Sequence, residues 1–155
     1  MSISVGQSAP DFTLFNTEKN KVSLADFRNK NVVILFFPLA FTGVCTNEMC
    51  SMRDNLAAYN GMNAEVIGIS VDSLFTLDRF KKENNLNFTL LSDFNKEAAT
   101  AYGCLYDSFV FDMLGVAKRS AFVVDGQGVL RYAEVLESAG DLPNFEAIQA
   151  CLKSL

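Results

Sequence analysis

An α/β domain with a mixed central sheet flanked by helices is predicted by three features of this chain. Apolar, β-branched runs at 32–37, 65–71, 120–124 and 129–135 alternate with longer stretches of helical period. The turn Asp125-Gly126-Gln127-Gly128 folds the last two runs into an antiparallel hairpin, whereas the first two flank a helix and form a parallel β-α-β unit with a right-handed crossover. Half of the 155 residues are hydrophobic, which suits a single domain over 1–155 whose core needs no disulfide staples.

Taken in order, 11–14 and 22–24 read as short strands, joined by turn chemistry at 16–20. The run 32–37 is the first buried strand. From Cys45 onward, Met49, Met52, Leu56 and Tyr59 recur at alternating steps of four and three, so one stripe of the following helix faces inward. Helices follow at 74–84 and 96–102. The last spans 143–155, with Pro143 in its first turn and Phe145, Ile148, Leu152 and Leu155 turned inward.

Composition removes whole classes of function. A formal charge of −5 with only 13 scattered basic residues does not make a nucleic-acid surface. No apolar stretch reaches the ~18 residues of a membrane span, and the N-terminal residues lack a leader's basic and apolar regions, so a cytoplasmic protein is expected. The chain has no histidine, which excludes His-dependent hydrolysis, His-ligated zinc and imidazole acid/base work. Its 4 cysteines form no C-x-x-C pair and read as free thiols of a reducing compartment.

One of those thiols stands apart. Pro38-Leu39-Ala40-Phe41-Thr42-Gly43-Val44-Cys45 places Cys45 where an apolar strand hands over to an amphipathic helix. There the unpaired backbone N–H groups and the helix macrodipole favour the thiolate, the nucleophilic form. The bland alternative for Cys45 is a small buried hydrophobe. Thr42 serves either as a turn or N-cap residue or as a hydroxyl donating to a substrate oxygen beside the thiol. Pro38 ends the strand without a spare N–H.

The pattern Pro-x-x-x-Thr-x-x-Cys at this junction resembles the active-site signature of the peroxiredoxins, thiol peroxidases built on an elaborated thioredoxin fold. The likeness runs from Gly6-Gln7-Ser8-Ala9-Pro10-Asp11-Phe12 to the final helix. It implies that Cys45 attacks a peroxide and becomes a sulfenic acid, that Pro38 shields the thiolate, and that no cofactor or metal takes part. Ala117-Lys118-Arg119-Ser120-Ala121-Phe122 looks like the family segment bearing the active-site arginine, and a permanently charged, forked guanidinium suits a sulfur and a peroxide oxygen together. The alternative for Arg119 is a solvated edge charge, which is the reading taken for Lys118. In Cys45-Thr46-Asn47-Glu48 the resemblance makes Glu48 a support for the arginine; a carboxylate complementing the first helical turn is its other reading. Arg53 either joins that network or pairs at the surface.

The resemblance is divided over what reduces the sulfenic acid. Cys50, five residues beyond Cys45, has the spacing of the resolving thiol in bacterioferritin-comigratory, or Q-type, members. On an intact helix that spacing separates the Cα atoms by roughly 8–9 Å, and a disulfide tolerates about 7 Å, so the first turn must unwind before the bond forms. Phe36-Phe37-Pro38-Leu39-Ala40-Phe41-Thr42-Gly43 and Arg131-Tyr132-Ala133-Glu134 instead resemble the one-cysteine alkyl hydroperoxide reductase E type, reduced by an outside thiol. Cys50 is therefore resolving or inert, while Cys104 and Cys151 read as buried. The implied partners are a peroxide and a thioredoxin- or glutaredoxin-like reductant, for a monomer or a homodimer.

Two rivals remain, one a second enzyme and one from another class. A thioredoxin-like thiol-disulfide oxidoreductase shares the fold but normally carries C-x-x-C. A redox-regulated binding or chaperone module would use exposed aromatics, for which Phe41 and Phe75 are candidates.

Overall fold

Every strand among the described residues enters one sheet. The computed structural model describes residues 3–155; Met1 and Ser2, the start of the segment read above as lacking a leader, lie outside them. Along the chain come β1 (Thr13–Asn16), β2 (Lys21–Ser23), β3 (Asn31–Phe36), α1 (Gly43–Asn60), β4 (Ala64–Ser70), α2 (Leu74–Glu83), β5 (Thr89–Ser92), α3 (Glu97–Ala101), β6 (Ser120–Val124), β7 (Leu130–Val135) and α4 (Phe145–Lys153). The sheet order is β2-β1-β5-β4-β3-β6-β7. Strands β3, β4 and β5 are mutually parallel and the rest antiparallel, the mixed sheet that was expected.

Alternation along β3 decides where the helices go. Val33 and Leu35 point into one apolar cluster, while Val32, Ile34 and Phe36 point into the other. Helices α1, α2 and α4 close the first through Met49, Met52, Phe80 and Ile148, and α3 closes the second through Ala98 and Ala99. The stripe on α1 behaves as its spacing requires: Met49, Met52 and Tyr59 are buried and Leu56 is half-buried. In the β6–β7 turn, Asp125 accepts the N–H groups of Gln127 and Val129 at 2.9 and 3.0 Å, and Gly128 takes the left-handed φ of +82° that closes it.

Several boundaries differ from the sequence reading, each for a local reason. The first strand begins at Thr13 rather than 11, because Asp11 turns its carboxylate onto the Phe12 N–H. The second stops at Ser23, where a Ser23–Asp26 capping box starts a single 3-10 turn. The last helix begins at Phe145, since Asn144 caps it by accepting the Ala147 N–H, and Pro143 lies before the cap. It ends at Lys153, which leaves Leu155 47% exposed instead of inward. Strand β5 has no counterpart in the sequence reading: four residues between β1 and β4, with Leu90 and Leu91 buried and Thr89 and Ser92 half-buried, show no alternation to detect.

At the centre of the second cluster Phe122 meets Phe36 edge-on at 5.8 Å and Tyr102 at 5.0 Å. Phe122→Ala removes a fully buried ring from both contacts and is expected to cost about 3–5 kcal/mol, read as a lower denaturant midpoint at unchanged m-value.

Candidate active site

The sheet brings Cys45 and Arg119 together. Strand β6 runs antiparallel to β3 with Ser120 opposite Phe36, so the residue preceding β6 lies level with the end of β3, where the chain turns into α1. Arg119 occupies that place and is 1% exposed. Its Nη2 donates to Cys45 Sγ at 3.1 Å and to the Ala139 carbonyl at 3.2 Å, and its Nη1 donates to Glu48 Oε1 at 2.7 Å. The solvated-edge reading of Arg119 is thereby excluded. Lys118, read as the solvated charge, is instead half-buried: its ammonium lies over the Tyr106 ring and pairs with the exposed Glu137.

Glu48 sits deeper than the sequence suggested. Helix α1 starts at Gly43, two residues before Cys45, so Glu48 falls in the second turn, fully buried, and the first turn holds no acid. The macrodipole reading fails and the arginine-supporting one stands. Burial raises the Glu48 pKa from its ordinary 4.5 to about 7, against the opposing pull of the Arg119 charge. For Arg119, burial works against the charge, but Glu48 and Cys45 outweigh it and hold the guanidinium above its ordinary value. Glu48 Oε2 and Arg119 Nε have no hydrogen-bond partner among the described residues, so the pair is joined through one bond rather than two.

Thr42 is the N-cap residue of α1, yet its side chain caps nothing: the hydroxyl donates to the Leu39 carbonyl at 2.8 Å. This corrects the expectation of a donor to substrate, because the proton is committed and only the oxygen lone pairs remain available. The N–H groups of Gly43, Val44 and Cys45 have no acceptor among the described residues and border the same cavity. That cavity, about 350 Å³, is floored by Cys45, Arg119 and Thr42 with the buried Pro38 beside them. Its outer wall is Phe109, Val110, Phe111 and Met113, a loop that sequence reasoning missed. The signal was present as apolar residues inside a turn-rich stretch, and Phe111 is 93% exposed. A cavity of about 400 Å³ between β1, α2 and the β5–α3 turn is lined by phenylalanines, leucines and polar side chains that include Asp93 and Glu97, without a thiol or a cation.

The other cysteines occupy separate surroundings. Cys50 is half-buried against the first core cluster, its Sγ 3.7 Å from Asn84 Oδ1. Cys104 is buried, and burial pushes its thiol up to about 12. Cys151 is half-buried rather than buried, near the Arg131 carbonyl. Arg53 pairs with Asp54 and donates to the Asn84 carbonyl, outside the Cys45 network. Four thiols so dispersed form no common metal site.

The AhpC/TSA family matches residues 5–133 of the chain. Alkyl hydroperoxide reductase E of Mycobacterium tuberculosis is 38% identical over 136 residues, covering 86% of each protein. Peroxiredoxin-2 of Bos taurus is 35% identical, covering 96% of this chain and 75% of that protein. Among solved structures, the reduced 2-Cys peroxiredoxin of Plasmodium vivax superposes with a TM-score of 0.86 at 29% identity, covering 97% of this chain and 81% of that one. The peroxidoxin BcpB of Mycobacterium tuberculosis does so with 0.87 at 25% identity, covering 99% and 98%. The thioredoxin-like fold of the peroxiredoxins is thus the fold of this chain.

Because the folded-state pKa of Glu48 lies above its unfolded value, its proton stabilises the fold fully below about 4.5, and that contribution is lost as pH rises through about 7. The stability difference between Glu48→Gln and wild type is expected to move in the variant's favour across this window, by about 3 kcal/mol in urea titrations at several pH values.

Proposed function

Because the chain belongs to the AhpC/TSA family of thiol-dependent peroxidases, we propose that Cys45 is the residue that attacks peroxide and that Arg119, Thr42 and the first N–H groups of α1 hold the reacting oxygens. One observation carries the assignment: among the four thiols, Cys45 alone accepts a hydrogen bond from a guanidinium. In this reading the Cys45 thiolate displaces at the distal peroxide oxygen. The S–O bond forms as the O–O bond breaks, and the electron pair leaves on the proximal oxygen, which takes a proton to become water or an alcohol. Cys45 is oxidised to the sulfenic acid.

Each group has a defined part. Arg119 Nη2, already on the sulfur, meets the charge that passes from sulfur to leaving oxygen, and the free N–H groups of Gly43, Val44 and Cys45 add dipoles in a largely apolar site. The Thr42 oxygen accepts the hydroxyl proton of the peroxide, because its own proton is held by Leu39. Pro38 keeps water from the sulfur, and Glu48 fixes the rotation of the guanidinium. No metal or organic cofactor is needed for these steps, since the thiol carries both electrons.

Recycling uses a thioredoxin-like reductant, as in the family, and we read the donor as a thioredoxin or glutaredoxin in the cytoplasm, where four free thiols persist. A Cys45–Cys50 disulfide requires α1 to unwind from Gly43 past Cys45, since both thiols lie on one intact helix and Cys50 faces Asn84 of the α2 end. The exposed Phe41 and Phe75 rings offer an apolar face for a homodimer, and a monomer retains every group found at Cys45.

Mixing the prereduced protein with one equivalent of peroxide tests this. Wild type is expected to form a Cys45 sulfenic acid within seconds, Cys45→Ser to consume no peroxide, and Arg119→Ala to slow by on the order of a hundredfold or more. Loss of two thiols to a Cys45–Cys50 disulfide, absent in Cys50→Ser, identifies Cys50 as the resolving residue. A sulfenic acid persisting with Cys50 free assigns resolution to the external thiol. Peroxide consumption by Cys45→Ser would refute the assignment.

A further inference from the structure

The turn between β3 and α1 sets the position of Thr42 and of the free N–H groups, yet little holds it to the sheet. Within 38–42 the Thr42 hydroxyl closes the turn on the Leu39 carbonyl, and Phe41 adopts a left-handed φ of +67° that a side chain disfavours. The Phe41 ring rests edge-on against Phe80 at 5.2 Å, a contact without directional polarity. Among the described residues, one hydrogen bond ties this turn to another strand-end: the Ala40 N–H donates to Asp72 Oδ2 at 2.8 Å.

Asp72 lies in the short connection between β4 and α2, and is itself held on every side. The same Oδ2 accepts the Ser70 hydroxyl at 2.6 Å, and the Ser70 oxygen in return accepts the Asp72 N–H at 3.1 Å. Ser92 donates to the Asp72 carbonyl at 2.6 Å. Ser70 is fully buried and opposes Ser92 in the β4–β5 ladder, so the carboxylate is referenced to two central strands. A charged acceptor in a locked rotamer thus transmits the position of the sheet to the active-site turn.

We propose that Asp72 is a positioning residue of the peroxidase: through Ala40 it fixes the turn 38–42, and with it the Thr42 oxygen and the first N–H groups of α1, at the distance from Cys45 that the O–O bond of the substrate requires. The proposal rests on the reading of those groups as the peroxide cradle. Arg119 reaches Cys45 from β6 independently of this turn, so loss of Asp72 misplaces the cradle and leaves the thiol and its guanidinium in contact. Reaction of the sulfur with an electrophile that needs no cradle is therefore spared.

The experiment compares two reactions of Cys45 in wild type, Asp72→Ala and Asp72→Asn: stopped-flow oxidation by hydrogen peroxide and by tert-butyl hydroperoxide, and alkylation by iodoacetamide at one pH. Asp72→Ala is expected to lower both oxidation rate constants by on the order of tenfold or more, while alkylation stays within about twofold. Asp72→Asn, whose amide oxygen can still accept the Ala40 N–H, is expected to recover most of the rate. Where Asp72→Ala does not fold, Ser70→Ala replaces it: freeing the carboxylate rotamer is expected to slow oxidation and spare alkylation in the same sense. Oxidation at the wild-type rate, or equal losses in oxidation and alkylation, would overturn the positioning role while the peroxidase reading stands. Wild type that consumes no peroxide would overturn both.

Discussion

A guanidinium buried at the end of the sheet is the constraint on which the site depends. Arg119 is almost fully enclosed, and a charge taken out of water is tolerated only where other groups replace its hydration. The chain supplies three acceptors from three places: the Glu48 carboxylate, the Cys45 sulfur and the Ala139 carbonyl. Two stand on one helix three residues apart, which places them on the same face of α1 and aims both at a single cation. The Cys45 sulfur is thus one of the groups that replace the hydration the buried arginine has lost.

The compensation is incomplete, and the incompleteness bears on function. Glu48 uses one oxygen on Arg119 and leaves the other unpartnered, so its negative charge is costly enough for the carboxyl to retain a proton toward neutrality. The Glu48 carboxyl meets only Nη1 of the guanidinium, which leaves Nη2 to the sulfur and the Ala139 carbonyl. Phe109, Val110, Phe111 and Met113 border the cavity beside this contact with apolar surface.

Around this ion pair the fold works as a reference frame. Strand β3 delivers Pro38 and Cys45 at its end, β6 delivers Arg119 beside them because it runs the other way, and β4 ends where Asp72 reaches Ala40. Chemistry gathers where the parallel strands finish, since that edge is where helix N-termini and inter-strand turns converge. The open N–H groups of α1 belong to the same economy of design: Thr42, which ordinarily would cap them, turns its hydroxyl to Leu39 instead.

Much of this was legible in the chain. Strand β3, the α1 stripe, the β6–β7 hairpin and the junction that carries Cys45 are local patterns of alternation, helical period and turn chemistry, and such patterns survive reading one residue after another. Even Arg119 was found, since it opens a buried strand beside the junction. What the chain could not display is depth and mutual orientation. Glu48 looked like a helix-terminal charge, but its burial and its altered proton affinity follow from β6 placing Arg119 opposite it. Thr42 looked like a donor until the turn gave its proton to Leu39, and the wall at 109–113 became a wall only when its loop met the start of α1. Strand β5 was missed because it is only four residues long and its two buried leucines are adjacent, so it carries no alternation of its own. The sequence by itself determined the fold class and singled out Cys45 and Arg119 as candidates, because strand and helix periodicity, turn chemistry and a local motif are carried by neighbouring residues. Tertiary structure decided which polar groups lose water and which partner each receives, because solvation and hydrogen bonding are settled by residues distant in the chain.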